Sequence, residues 1–250
     1  MARPLTVLVH GQPGSHLDWR PVLDRLPDVP LLAPDRPGYN GEPAAGFAQN
    51  AAALLRALDA AEAPTAYLAG HSWGAGVALA TALAAPDRVA GLVLVTPVGS
   101  PLAITRGDRL VGGRVTGATF ALAMRLIARH TIGLGARAVG SRLDAPTKRY
   151  IRAELAQRDL PSAWRAWRVE QRALIEETPG LAGRLAEITA PTIILAGRRD
   201  TAVSPAAARD LARRMSGTDV DFRELDTGHL MPLEAPDAVA AAIRDIAGHS

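Results

Sequence analysis

The stretch Ala66-Tyr67-Leu68-Ala69-Gly70-His71-Ser72-Trp73-Gly74-Ala75-Gly76 decides how this chain is read. Its first residues are a short apolar run of the kind that fills a buried strand, and its last ones open an alanine-rich run of helical period. Between them stands Gly70-His71-Ser72-Trp73-Gly74. A side chain on so sharp a strand-to-helix turn is forced into strained backbone angles, and the residues two before and two after it must be small. Gly70 and Gly74 meet that demand and make Ser72 a candidate nucleophile. The helix start behind the hydroxyl would favour negative charge developing on an attacked carbonyl oxygen. A plain glycine turn would use the same residues, so the rest of the chain has to supply partners.

A serine hydroxyl is a weak nucleophile until a base takes its proton, so a histidine is expected on a loop after a late strand. His229 stands there, in Asp226-Thr227-Gly228-His229, directly after the run 220–225. The other histidines compete less well: His71 adjoins the serine, His10 and His16 lie in the first loop, His130 falls in a helical stretch, and His249 is next to the C-terminus. The base needs a carboxylate to hold its tautomer, and Gly197-Arg198-Arg199-Asp200 follows the run 192–196. Asp200 is the expected acid; Asp226 is nearer in sequence but too close along the chain to face the ring. The order Ser, Asp, His is the one expected for a nucleophile on such a turn. An attacked carbonyl also needs two fixed donors for its oxyanion. The backbone N–H groups of Trp73 and of Gln12, in His10-Gly11-Gln12-Pro13-Gly14, are the candidates, because Pro13 has none to give.

Working outward, β-branched or leucine-rich runs recur at residues 5–9, 30–34, 66–69, 92–96, 192–196 and 220–225. Residues 47–61, 76–85, 206–215 and 238–247 have helical period between most of them. This alternation predicts an α/β fold, a mainly parallel sheet flanked by helices. Residues 1–96 and 191–250 read as that body, and residues 97–190, with no convincing strand, as an inserted helical cap. Over 117–129, Phe120, Met124 and Ile127 share a helix face that Leu122 and Leu126 widen, leaving Arg125 and Arg129 as a polar stripe. A second helix near 162–177 sets Trp164, Trp167, Gln171 and Leu174 on one face, with Arg152 and Arg158 on the helix before it. Phe120, Met124, Trp164 and Trp167 are the expected substrate-binding residues, lining an acyl pocket above Ser72, although simple packing of the insertion onto the body would use the same side chains.

At this point the chain resembles an α/β-hydrolase fold protein of the capped, single-domain type, over nearly its whole length. The resemblance assigns His10-Gly11 and Gln12 to the oxyanion loop, Ser72 to the nucleophile elbow, Asp200 to the acid and His229 to the base. Asp35-Arg36-Pro37-Gly38-Tyr39 resembles the family's loop after its next strand, where the Asp and Gly are structural. Two departures follow. The family usually has two antiparallel strands before the oxyanion strand, but Met1 stands only nine residues before His10. The sheet is expected to lack that first edge, and an uncovered edge strand would pair with a second copy of the chain. A Trp directly after the nucleophile is similar to haloalkane dehalogenases and epoxide hydrolases, whose nucleophile is Asp. With Ser72 in its place an alkyl-serine ether could not be hydrolysed as an alkyl-aspartate ester can, so those two reactions are disfavoured.

Composition narrows the class. With 48% hydrophobic and 21% charged residues in 250, the chain is an ordinary globular one and neither disordered, collagen-like nor coiled coil. No apolar run reaches the ~18 residues of a membrane span, and the first residues are too short for a signal-peptide core, so a cytoplasmic location is expected. The absence of cysteine removes disulfides, a thiolate nucleophile and cysteine metal sites. Charge is segmental: residues 99–180 carry 14 basic and 7 acidic side chains, the remainder 14 and 18. That positive segment is either a solvated face or an attractor of anionic substrates or an acidic surface. Aromatics are only 4% and no nucleic-acid motif occurs, so a nucleic-acid partner is not expected.

Residues and resemblance together imply a serine hydrolase acting on an ester-type bond of a small, largely apolar substrate through an acyl-Ser72 intermediate, with no cofactor and no metal. Two rivals stay open: a lyase, cofactor-free oxidase or cyclase on the same scaffold, and a ligand- or partner-binding protein with an idle triad.

Overall fold

The computed structural model describes residues 4–127, 130–157 and 159–248; Arg129, Arg158 and His249 lie outside the described residues. Among the described residues six strands form: β1 (Leu5–Val9), β2 (Leu31–Leu32), β3 (Ala66–His71), β4 (Val89–Val95), β5 (Thr192–Gly197) and β6 (Val220–Leu225). They lie in the order β2-β1-β3-β4-β5-β6, and every pairing among the described residues is parallel. The helices are α1 (Arg20–Leu23), α2 (Phe47–Ala60), α3 (Trp73–Ala84), α4 (Arg106–Val111), α5 (Arg114–Ile127), α6 (Ile132–Ala138), α7 (Ala145–Gln157), α8 (Leu160–Gly183), α9 (Pro205–Arg214), α10 (Met231–Glu234) and α11 (Pro236–Gly248).

The continuous apolar runs are those of strands buried on both faces, and successive residues serve opposite cores. Val7, Leu68, Leu92 and Ile194 point into a core filled by α2, α3 and α9. Leu8, Ala69, Val93 and Ile193 point into the other, filled by Trp19, Val22 and the inner face of α11. The α/β reading of the sequence therefore holds, with two adjustments. β2 shrinks to Leu31–Leu32, because Pro30 and Pro34 flank it and a proline has no N–H for the ladder. β4 starts earlier than its apolar run, since Val89 and Gly91 already pair with Ala66 and Tyr67.

The chain leaves β1 for the edge strand β2 and then crosses back to β3 on the other side of β1. Such a reversal places the loops after β1 and β3 side by side at the carboxyl ends of the strands. Val9 and Gly70 are register partners, so His10–Gln12 and Ser72 emerge together.

Between β4 and β5 the described residues form helices α4 to α8 and no strand. α5 lies on α8 through Ala121, Trp164 and Trp167, with Met124, Val111 and Leu160 beside them. Further along α8, Ala173, Leu174, Leu181 and Ala182 leave that cluster and join the core of α2 and α3. The helix expected near 162–177 is thus longer than its pattern suggested and serves two packing partners in succession.

Candidate active site

Ser72 caps α3 with φ 53° and ψ −117°, a left-handed conformation that few non-glycine residues adopt. Backbone bonds hold it there: its N–H donates to the Val95 carbonyl at 2.9 Å, and its own carbonyl accepts from Ala75 at 3.0 Å and Val98 at 3.2 Å. The small neighbours are required by contact. A Cβ on Gly74 would fall 2.2 Å from the Val9 carbonyl oxygen, and one on Gly70 would fall 2.5 Å from that of Gly74.

His229 stands 157 residues further on and 2.8 Å away, with its Nε2 on the Ser72 hydroxyl. Its Nδ1 lies 2.8 Å from Asp200 Oδ2. A carboxylate only accepts, so Nδ1 carries the proton and Nε2 is bare toward the serine. Asp200 is itself fixed, because its Oδ1 accepts from the Ala202 and Val203 N–H groups at 2.8 Å each. Asp226, the nearer carboxylate in sequence, is exposed and paired with Arg199 instead.

The backbone of His229 is held as firmly as its ring. Its carbonyl accepts from Thr96 Oγ1 at 3.1 Å and from His71 Nε2 at 2.9 Å. Its N–H donates to the Val139 carbonyl at 3.0 Å, and the next N–H, of Leu230, donates to Ser141 Oγ at 2.8 Å. Burial first, and the nearby His229 second, lower the His71 pKa from 6.5 to about 3, so that ring is neutral at ordinary pH. Sequence reasoning placed His71 beside the serine and gave it no task; nothing in a local motif signals a bond to a loop 158 residues away.

The β1 loop closes over the serine, with Gly11 so near that a Cβ there would touch Ser72 Cβ at 3.3 Å. Behind it sits buried Arg36, whose guanidinium donates to the His10 carbonyl at 2.9 Å and the Gly11 carbonyl at 2.8 Å. Its counter-charge is Glu170 of α8, fully buried, which also accepts from the Tyr39 hydroxyl at 2.7 Å. Burial pushes the Glu170 carboxyl above its usual range against the pull of Arg36. Gln171, one residue on, accepts from the Gln12 side chain at 3.1 Å. His10 is structural here: its Nε2 accepts the Arg36 N–H at 3.1 Å.

The model of the alpha/beta hydrolase family matches residues 6–242. The chain belongs to that family. This alpha/beta hydrolase is 30% identical to lipase LipV of Mycobacterium tuberculosis, over 99% of its own length and 94% of the relative's. It is 28% identical to rhodomycin D methylesterase DauP of a Streptomyces species, covering 79% and 72%. Among solved structures, a thermophilic esterase from Thermogutta terrifontis superposes with a TM-score of 0.73 at 25% identity, covering 97% of this chain and 88% of that one. The chain is thus a hydrolase in the broad sense.

A cavity of about 170 Å³ opens on Ser72 of this alpha/beta hydrolase. Gly11, Gln12, Leu230 and Leu233 line it from the body, and Tyr150, Ile151, Glu154 and Leu155 from α7. The Tyr150 hydroxyl donates across to the Leu17 carbonyl at 2.6 Å, tying α7 to the first loop. Here the structure corrects the sequence reading, since none of Phe120, Met124, Trp164 and Trp167 lines this cavity. Phe120 packs against the two tryptophan rings, 6.3 and 5.1 Å between centroids, and the group joins α5 to α8. Periodicity showed that these side chains share faces, but the face they cover is each other's. A larger open cleft of about 780 Å³ lies between the Gly14–Leu17 turn and the start of α8, and Ser72 is not part of its lining.

Among the described residues no cluster of ligating side chains would hold a metal ion, and no helix is long and apolar enough to cross a membrane.

Proposed function

We propose that this protein is a serine hydrolase of ester-type bonds that works through an acyl-enzyme on Ser72. One observation carries the reading: a single imidazole bridges the strained Ser72 hydroxyl and a fixed carboxylate, at 2.8 Å on each side. Ser72 Oγ attacks the carbonyl carbon while its proton passes to His229 Nε2, and ionised Asp200 faces the imidazolium that results. The N–H groups of Trp73 and Gln12 hold the carbonyl oxygen as it becomes anionic. Collapse expels the alcohol, which takes the proton from His229 and leaves Ser72 acylated. Water then attacks the acyl carbon as His229 takes its proton; collapse returns that proton to Ser72 and frees the acid.

The inserted helices act as a cap, with α7 as the part that meets substrate. Ile151, Leu155, Leu230 and Leu233 make the cavity largely apolar, which suits a small apolar acyl group. The names of the similar lipase, methylesterase and esterase support an ester as the bond cleaved. The test is covalent labelling with a fluorophosphonate, mapped by peptide mass spectrometry, beside turnover of short aryl esters. Wild type should be labelled on Ser72 and hydrolyse the esters, and Ser72→Ala should lose both. Turnover undiminished in folded Ser72→Ala would overturn the acyl-serine route.

A further inference from the structure

We propose that the outer face of α4, α5 and α6 docks this chain onto an anionic lipid surface. Nine large hydrophobic side chains stand exposed among the described residues, and every one lies between Leu102 and Val169, in the inserted stretch. Seven of them belong to α4–α6. On α5 the spacing of Val115, Leu122 and Leu126 keeps them on one stripe, on the side away from Gly117 and Ala121, which are buried. The stripe is 54% to 75% exposed. Soluble monomers seldom leave apolar side chains gathered in this way without a use for them.

The charges beside the stripe say what covers it. Arg106, Arg109, Arg114, Arg125 and Arg137 are all exposed and form no ion pair with a carboxylate among the described residues. In the body, by contrast, Arg20, Arg25, Arg88, Arg198, Arg209 and Arg223 each have one. Asp108, the one acid between residues 105 and 138, is held by the Thr105 cap and by Gln171. By their spacing Arg114 and Arg125 run along one flank of the stripe. Leucine and valine side chains that enter the acyl boundary while guanidiniums meet phosphates are the pattern of an interfacial helix. A nucleic acid would use the arginines and leave the leucines in water. A second copy would bring two sets of exposed arginines together.

The experiment is co-sedimentation with phosphatidylcholine vesicles prepared with and without phosphatidylglycerol, run on the Ser72→Ala variant so that the result is independent of ester cleavage. Partition should be at least about tenfold stronger on the anionic vesicles and should fall as salt is raised. The exposed pairs Leu122→Ser/Leu126→Ser and Arg114→Gln/Arg125→Gln should each weaken it by about tenfold or more. In the Ser72 background both pairs should keep the parent's circular dichroism and its turnover of a water-soluble ester. Equal partition on neutral and anionic vesicles, no partition at all, or partition that neither pair alters would overturn the proposal. Self-association that both pairs abolish, without vesicle binding, would assign the face to a second copy and overturn it as well.

Discussion

Gly74 is where a single methyl group tells most about the site. Its added Cβ would sit 2.2 Å from the Val9 carbonyl oxygen and 2.6 Å from that of His10, so β1 and the start of α3 would have to part. Gly74→Ala should lower the urea midpoint and slow fluorophosphonate labelling together, and unchanged values of both would show that the turn relaxes freely. Asp200→Asn should cost on the order of ten-thousandfold in kcat, by analogy with the loss of the correct tautomer in serine proteases, while Asp226→Asn, whose carboxylate pairs with Arg199 at the surface, should change little. The reverse pattern in steady-state kinetics would displace Asp200 as the acid. His71 gives a pH test. Its pKa is about 3 in the folded chain and 6.5 when unperturbed, so between those values the unfolded chain binds more protons and stability falls as pH falls. The contribution is up to about 1.4 kcal/mol per pH unit and vanishes above the unfolded value. His71→Gln keeps a donor for the His229 carbonyl but does not titrate, so its urea midpoint should drop less than wild type from about pH 7 to about pH 5. Equal drops would mean His71 charges without penalty. At this scale Ser72, Asp200 and His229 were legible, because each stands directly after a strand run in a short motif. Thr96, His71 and Ser141, which hold the His229 loop, were not, since a hydrogen bond between distant loops leaves no local pattern.

α7 marks the limit of what helical patterning conveys. Tyr150, Ile151, Glu154 and Leu155 recur at helical spacing, but Lys148, Arg149 and Arg152 interleave with them and blur the apolar face. The apolar pattern is stronger on α5, which covers α8. Pattern tells which side chains share a face; only the packing of α7 beside the β1 loop says that its face meets Ser72. If α7 bounds the acyl site, Leu155→Ala should move the preferred acyl chain of an aryl ester to greater length. Each methylene newly accommodated is worth up to about 0.8 kcal/mol, roughly fourfold in kcat/KM. Phe120→Ala and Met124→Ala should leave that optimum where it is. An optimum that shifts with Phe120 and not with Leu155 would return the acyl site to the aromatic cluster. The parallel sheet itself was readable from the strand runs, and only the proline-bounded β2 and the early start of β4 needed neighbours to define them.

Across the whole molecule, one buried charge pair joins parts that the chain order keeps apart. Arg36 follows β2, Glu170 belongs to α8, and Arg36 also holds the His10 and Gly11 carbonyls at the end of β1. The guanidinium lies over the Trp73 ring, 4.5 Å from its centroid, and the Trp73 indole N–H donates to the Glu170 carbonyl at 3.2 Å. Sheet, β1 loop and inserted helices therefore meet at one point. The pair is not a measure of net stabilisation, because taking both charges out of water costs about what their attraction returns. Removing one partner is different, since it strands a buried charge. Glu170→Gln keeps the shape and can still accept hydrogen bonds, yet leaves Arg36 without its counter-ion, and it should cost about 3–5 kcal/mol. For a chain of this size that is a fall in Tm on the order of 10 °C. The double variant Arg36→Leu/Glu170→Leu, with no charge left to strand, should recover part of the loss in calorimetry but lower kcat, because the His10 and Gly11 carbonyls lose their donor. Should the double variant unfold lower than Glu170→Gln, the guanidinium's bonds to that loop, rather than its unpaired charge, would be what the fold depends on.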